Sequence, residues 1–218
     1  MRIVIAGGHG QIALRLERLL AARGDEAAGI IRKPGQAEDL RAAGAEPVVL
    51  DLESATVEEA AEVLRGADAA VFAAGAGPNS GTERKDTVDR GAAVLFADAA
   101  ERAGVRRYVV VSSMGADPDH PGDEVFDVYL RAKGAADADV RARSGLDWTI
   151  LRPGMLTNDA GTGQVLLAAS TGRGPVPRDD VAAVLMELLD TPATAGLTLE
   201  LISGNVPLTV AVKDVAGN

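Results

Sequence analysis

Met1-Arg-Ile-Val-Ile-Ala-Gly7-Gly8-His9-Gly10-Gln-Ile-Ala13 opens the chain: an apolar run that breaks into three glycines within four residues and then resumes with helical composition. The run has the β-branched content and length of a buried strand. A strand that passes through a glycine turn into a helix is the first unit of a parallel α/β sheet. In a doubly wound sheet that turn lies at the carboxyl end of the strand, where the strand order reverses and a crevice opens. Gly7 and Gly10 remove side chains there, so backbone can approach a diphosphate and the N–H groups at the helix start can bind it. Ala13, three positions on, lets the helix pack close to the sheet. The spacing Gly7-x-x-Gly10-x-x-Ala13 is one residue longer in its first gap than the G-x-G of ordinary dinucleotide folds. Alone it specifies little more than a nucleotide of some kind.

The chain beyond the turn repeats the same unit. Aliphatic runs at Arg2 to Ala6, Glu26 to Ile31, Glu46 to Leu50, Ala69 to Phe72, Arg107 to Val111 and Asp147 to Leu151 read as strands. Between them Gln11 to Arg23, Ala37 to Ala43, Val57 to Leu64, Thr87 to Ala103 and Phe126 to Ser144 have helical composition and the length of crossover helices. The alternation predicts a Rossmann-like, doubly wound parallel sheet covered on both faces. After Arg152 the rhythm loosens. Pro153 to Pro177 is rich in glycine and proline around a short run, Gln164 to Ala169, and reads as loop over the strand ends. Asp180 is expected to cap a helix over Val181 to Leu189, with Asp179 beside it as an N-terminal acid, and Thr198 to Ile202 reads as a last strand. Val206 to Asn218 fits neither template. No linker divides the chain, so residues 1–218 are expected to form one domain, with 153–218 supplying a small loop-rich substrate region and the last sheet elements.

Composition bounds the function. Of 218 residues 47% are hydrophobic and 25% charged, which are globular proportions. Aromatics are only 3%, so Ala, Val, Leu and Ile must fill the core. The formal charge of −10 disfavours nucleic acid and anionic membranes as partners. The absence of cysteine excludes disulfides, thiolate metal sites and cysteine nucleophiles together. The strand-like first residues contain no basic leader, and no apolar stretch reaches about 18 residues. A soluble, cytoplasmic chain is the expectation.

Strand ends that follow the glycine turn carry the next signals. The second strand ends in Ile30-Ile31-Arg32-Lys33, where a site for NAD usually carries an acid on the ribose hydroxyls. Two cations suit a 2′-phosphate instead, with Arg32 as the planar bidentate candidate. That predicts NADP(H), with NAD(H) as the alternative. Asp51-Leu52 follows the third strand and is placed against the adenine edge. Ala73-Ala74-Gly75-Ala76 follows the fourth and leaves room for a nucleotide to cross the sheet. His9 carries no assigned chemistry, and with His120 far along the chain no metal site is expected.

The candidate chemistry follows the fifth strand. Ser112 and Ser113 stand at its end, and the next helix carries Tyr129 and Lys133 at i and i+4 on one face. The ammonium can favour the phenolate and reach a cofactor ribose, and a serine can hold a substrate oxygen beside the phenol. A carbonyl that accepts hydride needs such a pair: a donor for its oxygen and a general acid.

Taken together, GGHGQIA, VVVSSMGADPDHPG, YLRAKGAAD, SGLDWTILRPG, RDDVA and SGNVPL resemble the atypical short-chain dehydrogenase/reductases, in the NAD(P)-binding, NmrA-like branch that includes NAD-dependent epimerase/dehydratase-like proteins. The resemblance spans nearly the whole chain and is most specific at SGLDWTILRPG. It implies a Rossmann-type fold with the dinucleotide across the strand ends. Gly7, Gly10, Gln11 and Ile12 then match the diphosphate turn, Arg32 the 2′-phosphate position, Lys133 the ribose-contacting lysine and Tyr129 the general acid. Ser112 or Ser113 matches the catalytic serine. Pro153 matches the residue bordering the nicotinamide, and Met155 and Leu156 begin the substrate wall. Some members of the branch have lost Tyr or Lys and bind cofactor without turnover; this chain keeps both.

Three functions remain open on the sequence: an NADP(H)-dependent oxidoreductase for a small carbonyl or alcohol, a non-catalytic redox-sensing regulator, and a nucleotide-sugar epimerase or dehydratase. The short region after Arg152 argues against the last. A monomer or weak homodimer is expected. Trp148 is expected in the core, and Arg152 beside an acidic neighbour.

Overall fold

A computed structural model describes residues 1–77, 80–81 and 84–217. Its elements run β1 (Arg2–Ala6), α1 (Gln11–Arg23), β2 (Glu26–Ile31), α2 (Ala37–Ala42), β3 (Glu46–Val49), α3 (Val57–Leu64) and β4 (Ala69–Phe72). A π-helical segment, Lys85–Ala92, leads into α4 (Ala93–Ala103), followed by β5 (Arg107–Val111), α5 (Val125–Arg141) and β6 (Asp147–Pro153). The remainder comprises β7 (Met155–Thr157), β8 (Gln164–Ala168), β9 (Pro175–Pro177), α6 (Arg178–Leu189), β10 (Leu197–Ser203), β11 (Val206–Pro207) and α7 (Leu208–Ala216).

Nine strands form one sheet in the order β11-β8-β10-β6-β5-β4-β1-β2-β3. The seven from β10 to β3 are parallel, whereas β8 pairs antiparallel with both β10 and β11. The order reverses between β1 and β4, whose ends meet at Ala6 and Phe72. That places the switch point of a doubly wound sheet directly under the glycine turn. Strands buried on both faces explain why β1, β4 and β5 read as continuous apolar runs. Ile3, Ile5, Leu16, Leu20, Leu185 and Leu188 pack in the core on one face, with α1 and α6 over the sheet. Val4, Phe72, Phe96, Tyr108 and Ile150 pack on the other, under α3, α4 and α5. Phe96 stands between Phe72 and Tyr108, with centroids 6.2 and 5.9 Å away.

Several expectations are corrected. The helix expected over Thr87 to Ala103 starts earlier and in π-helical form, and the one expected over Phe126 to Ser144 ends at Arg141. Pro153 to Pro177 is not simply loop. β6 extends through Pro153, β7 and β9 form a separate two-stranded ladder, and β8 joins the main sheet. Asp180 is not a cap: α6 begins at Arg178 after Pro177, so Asp179 and Asp180 lie in its first turn. The buried Asp180 carboxylate instead accepts N–H bonds from Thr162 and Gly163, at 3.0 and 2.8 Å, and ties down the loop before β8. Trp148 is half-buried at the flank of the second core. The tail resolves into β11 and α7, with Asn218 outside the described residues. Among the described residues no helix is long and apolar enough to cross a membrane.

Candidate active site

The glycine turn is close-packed backbone. Gly7 has φ +80°, and a Cβ on it would lie 2.6 Å from Ala74 Cα, so only glycine fits between β1 and the β4 exit. Gly8 donates to Ile30 O (2.9 Å) and Gly10 to Gly7 O (2.8 Å), which points the chain into α1. Gly10 caps the helix without a side-chain hydrogen bond, and no acid stands in its first turn. The N–H groups there stay available to an anion. Beneath the turn lies a residue the sequence reading passed over. Glu17 is fully buried, neither carboxylate oxygen has a hydrogen-bond partner among the described residues, and Oε1 would lie 3.0 and 2.6 Å from Cβ atoms placed on Gly8 and Gly29. Burial lifts its carboxyl to about 8.

A crevice of about 280 Å³ runs along the switch point. Gly7, Gly10, Arg32, Asp51, Leu52, Ala73, Ala74 and Gly75 all line it, so the four strand ends picked from the sequence converge on one cavity. Gln11, Ile12, Lys33, Lys133 and Pro153 lie outside that lining; Lys33 is exposed, and Pro153 is buried in β6. His9, Gln36, Glu53 and Arg84 are among the other residues of the wall. His9 Nε2 is 2.7 Å from Asp39 and Nδ1 3.0 Å from Gln36 Nε2, which holds its ring at the cavity edge. Glu53 had no signal in the strand-end pattern. Its carboxylate accepts from Arg84 Nη2 (2.6 Å), Arg32 Nη1 (3.1 Å) and Thr87 Oγ1 (2.8 Å). The Arg84 hydrogen bond is the main cause that holds its carboxyl below the ordinary carboxylate range. Glycine backbone at the switch point, a free helix start and guanidinium groups at the β2 end fit a dinucleotide and its phosphates.

The second cluster stands where β4, β5 and α5 meet. Lys133 is buried, and its ammonium donates to Val111 O (3.2 Å) and Ala74 O (3.4 Å) and lies 3.5 Å from Asp89 Oδ1. It therefore bolts α5 to the ends of β4 and β5. Tyr129, one turn nearer the start of α5, is half-buried and stacks on Phe126 at 5.7 Å between ring centroids. The cation over its ring is that of Lys85, 5.3 Å from the centroid and donating to Gly77 O at 2.7 Å. The π-helical segment thus offers Lys85 to Tyr129 and Asp89 to Lys133, two residues four apart against two residues four apart. Local π geometry of this kind recurs at functional sites.

The two serines separate. Ser112 is buried and donates to Asp137 Oδ2 at 2.9 Å, the same oxygen that Arg152 holds from Nε (2.9 Å) and Nη2 (2.8 Å). Burial raises the Asp137 carboxyl, opposed by Arg152 and Ser112. The acidic neighbour expected for Arg152 is therefore Asp137, and Ser112 belongs to that internal network. Ser113 is half-buried, its hydroxyl donating to Met114 O at 3.3 Å. Among the described residues no cluster of His, Cys, Asp or Glu could hold a metal ion.

A doubly wound sheet with a glycine turn at its switch point and a Tyr-Lys helix beside it defines the class of NAD(P)-binding, short-chain-dehydrogenase-like proteins. The chain belongs to the NAD(P)H-binding family, whose model matches residues 7–192. It is 37% identical over 214 residues to YhfK of Bacillus subtilis, named as an uncharacterised sugar epimerase, covering 98% of this chain and 99% of that one. A Bacillus halodurans structure, provisionally assigned as an NAD-dependent epimerase/dehydratase, superposes with a TM-score of 0.90 at 36% identity over 98% of this chain and 99% of the other. The anaerobillin reductase ChuY of Escherichia coli O157:H7 superposes with a TM-score of 0.78 at 27% identity, over 94% and 98% of the two chains.

Proposed function

We propose that the protein is an NADPH-dependent oxidoreductase that reduces a small carbonyl acceptor. The observation that carries this reading is the Lys133 anchorage. Ammonium bonds to Val111 O and Ala74 O hold α5 against the ends of β4 and β5, with Tyr129 one turn away on the same helix. The reduced dinucleotide supplies the hydride when bound. The Tyr129 hydroxyl gives its proton to the acceptor oxygen, and the Ser113 hydroxyl donates a hydrogen bond that orients it. Arg32 and Arg84, here paired with Glu53, supply guanidinium groups that suit a 2′-phosphate once that carboxylate gives way. Phe126 is 63% exposed and stacked on Tyr129, which offers a flat apolar face beside the phenol. A conjugated acceptor suits that face, and the similarity to a reductase of known name agrees with it.

A second reading, a dinucleotide-binding regulator without turnover, is favoured by one observation: Lys133 is already committed to Asp89 and two carbonyl groups. NADPH oxidation across quinones, aldehydes and ketones decides between them. Turnover that Tyr129→Phe lowers by roughly 10²–10⁴-fold supports the enzyme. Tight NADPH binding with no turnover across the panel overturns it in favour of the regulator.

A further inference from the structure

At the outer end of the crevice three elements meet on one carboxylate. Arg32 comes from the end of β2, Arg84 and Thr87 from the start of the helix that leads into α4, and Glu53 from the turn after β3. Glu53 Oε2 takes Arg84 Nη2 at 2.6 Å and Arg32 Nη1 at 3.1 Å. Oε1 takes Thr87 Oγ1 at 2.8 Å and Arg84 Nε at 3.4 Å. Asp51 Oδ1 accepts from the Glu53 N–H at 3.1 Å and fixes the turn. Two guanidinium groups and a hydroxyl converging on one pair of oxygens make a geometry that also suits a phosphate. Here a side chain of the protein itself fills it.

We infer that Glu53 is a specificity-determining residue of the dinucleotide site: it is a resident carboxylate that competes with the 2′-phosphate for the Arg32–Arg84 clamp. The inference rests on the NADP reading proposed above. Charge gives the direction. Glu53 and Asp51 balance the two guanidinium groups, so a 2′-phosphate meets little net attraction until Glu53 is displaced or neutralised. The Arg84 hydrogen bond keeps the carboxylate ionised at neutral pH, so the competition is not relieved by protonation there. A dinucleotide without the phosphate makes no claim on the clamp and leaves the carboxylate in place.

Calorimetric titration with 2′,5′-ADP and 5′-AMP isolates the 2′-phosphate without any turnover. Wild type, Glu53→Gln, Glu53→Ala and Arg84→Ala are compared at one salt concentration, after thermal unfolding confirms that each is folded. Removing one negative charge from the clamp is expected to tighten 2′,5′-ADP by about tenfold. The affinity for 5′-AMP stays within about twofold, because that ligand has no charge at the clamp. Arg84→Ala lowers the preference for 2′,5′-ADP. If wild type prefers 2′,5′-ADP and both Glu53 variants bind it no more tightly, the Glu53 inference fails while the NADP reading stands. If wild type binds the two ligands equally and Glu53→Gln creates a preference, the inference holds and the NADP reading fails. Equal binding in wild type and both Glu53 variants overturns both.

Discussion

Glu17→Gln tests whether a buried acid lies under the glycine turn in its neutral form. Glu17 has no exposure and no hydrogen-bond partner among the described residues, and burial lifts its carboxyl from the ordinary 4.5 to about 8. At neutral pH the native chain therefore holds this proton while the unfolded chain has released it. Native protein binds the extra proton, so stability is fully present below pH 4.5 and falls as pH rises towards 8. The slope is about 1.4 kcal/mol per pH unit, or about 4 kcal/mol between roughly pH 5 and pH 8. Glutamine keeps the shape and an unpaired buried amide but has no proton to lose, so its own cost is a constant offset. The measurement is urea unfolding of both proteins at a series of pH values, with free energies extrapolated to water. The difference, variant minus wild type, should climb by about 4 kcal/mol over that interval and then level off, while other titrating groups cancel. A difference flat to within about 1 kcal/mol from pH 5 to pH 8 refutes the reasoning and means that Glu17 finds a charge partner or water in solution.

Two further outcomes are expected. Ser112→Ala should cost about 1–3 kcal/mol of unfolding free energy by removing one donor from buried Asp137, with turnover retained, whereas Ser113→Ala should lower kcat by roughly 10²-fold at unchanged stability; the reverse pattern assigns the acceptor-facing role to Ser112. Asp89→Ala leaves the Lys133 ammonium buried without its counter-charge and should cost about 3–5 kcal/mol in chemical denaturation, and Lys133→Met in the same background should recover much of that loss.

The sheet was legible because parallel strands buried on both faces leave a strong apolar signature. β1, β2, β4 and β5 fall where the sequence puts them. Their ends then located Gly7, Arg32, Asp51 and Ala74 in one crevice, since in this topology every strand delivers its carboxyl end to the same side. What escaped depends on contacts distant in sequence. Nothing local distinguishes Lys85 and Asp89 from ordinary helix charges; their meaning lies in the Tyr129 ring and the Lys133 ammonium opposite them. Glu53 lies in a turn with no strand-end position of its own and acquires its place from Arg84, 31 residues on. Glu17 gave no signal at all, because a glutamate is rarely fully buried without a partner. β9 was hidden by Pro175 and Pro177, which signal loop but are tolerated in a short edge strand.

The β7–β9 ladder separates a main-chain joint from the side chains it carries. Met155 N–H bonds to Gly174 O and Gly154 N–H to Leu201 O, both at 2.9 Å, and a Cβ on Gly154 would overlap the Gly174 carbonyl. This joint is made of main chain alone. Met155 projects from it with 69% exposure, while Leu156 on the opposite side is packed into the core. Under the proposed function acceptor preference is a modular trait: exchanging the outward Met155 side chain re-shapes the wall proposed to meet the acceptor without moving a backbone hydrogen bond. Met155 lies outside the lining of the switch-point crevice, so on that proposal it is the natural first choice for altering the acceptor range.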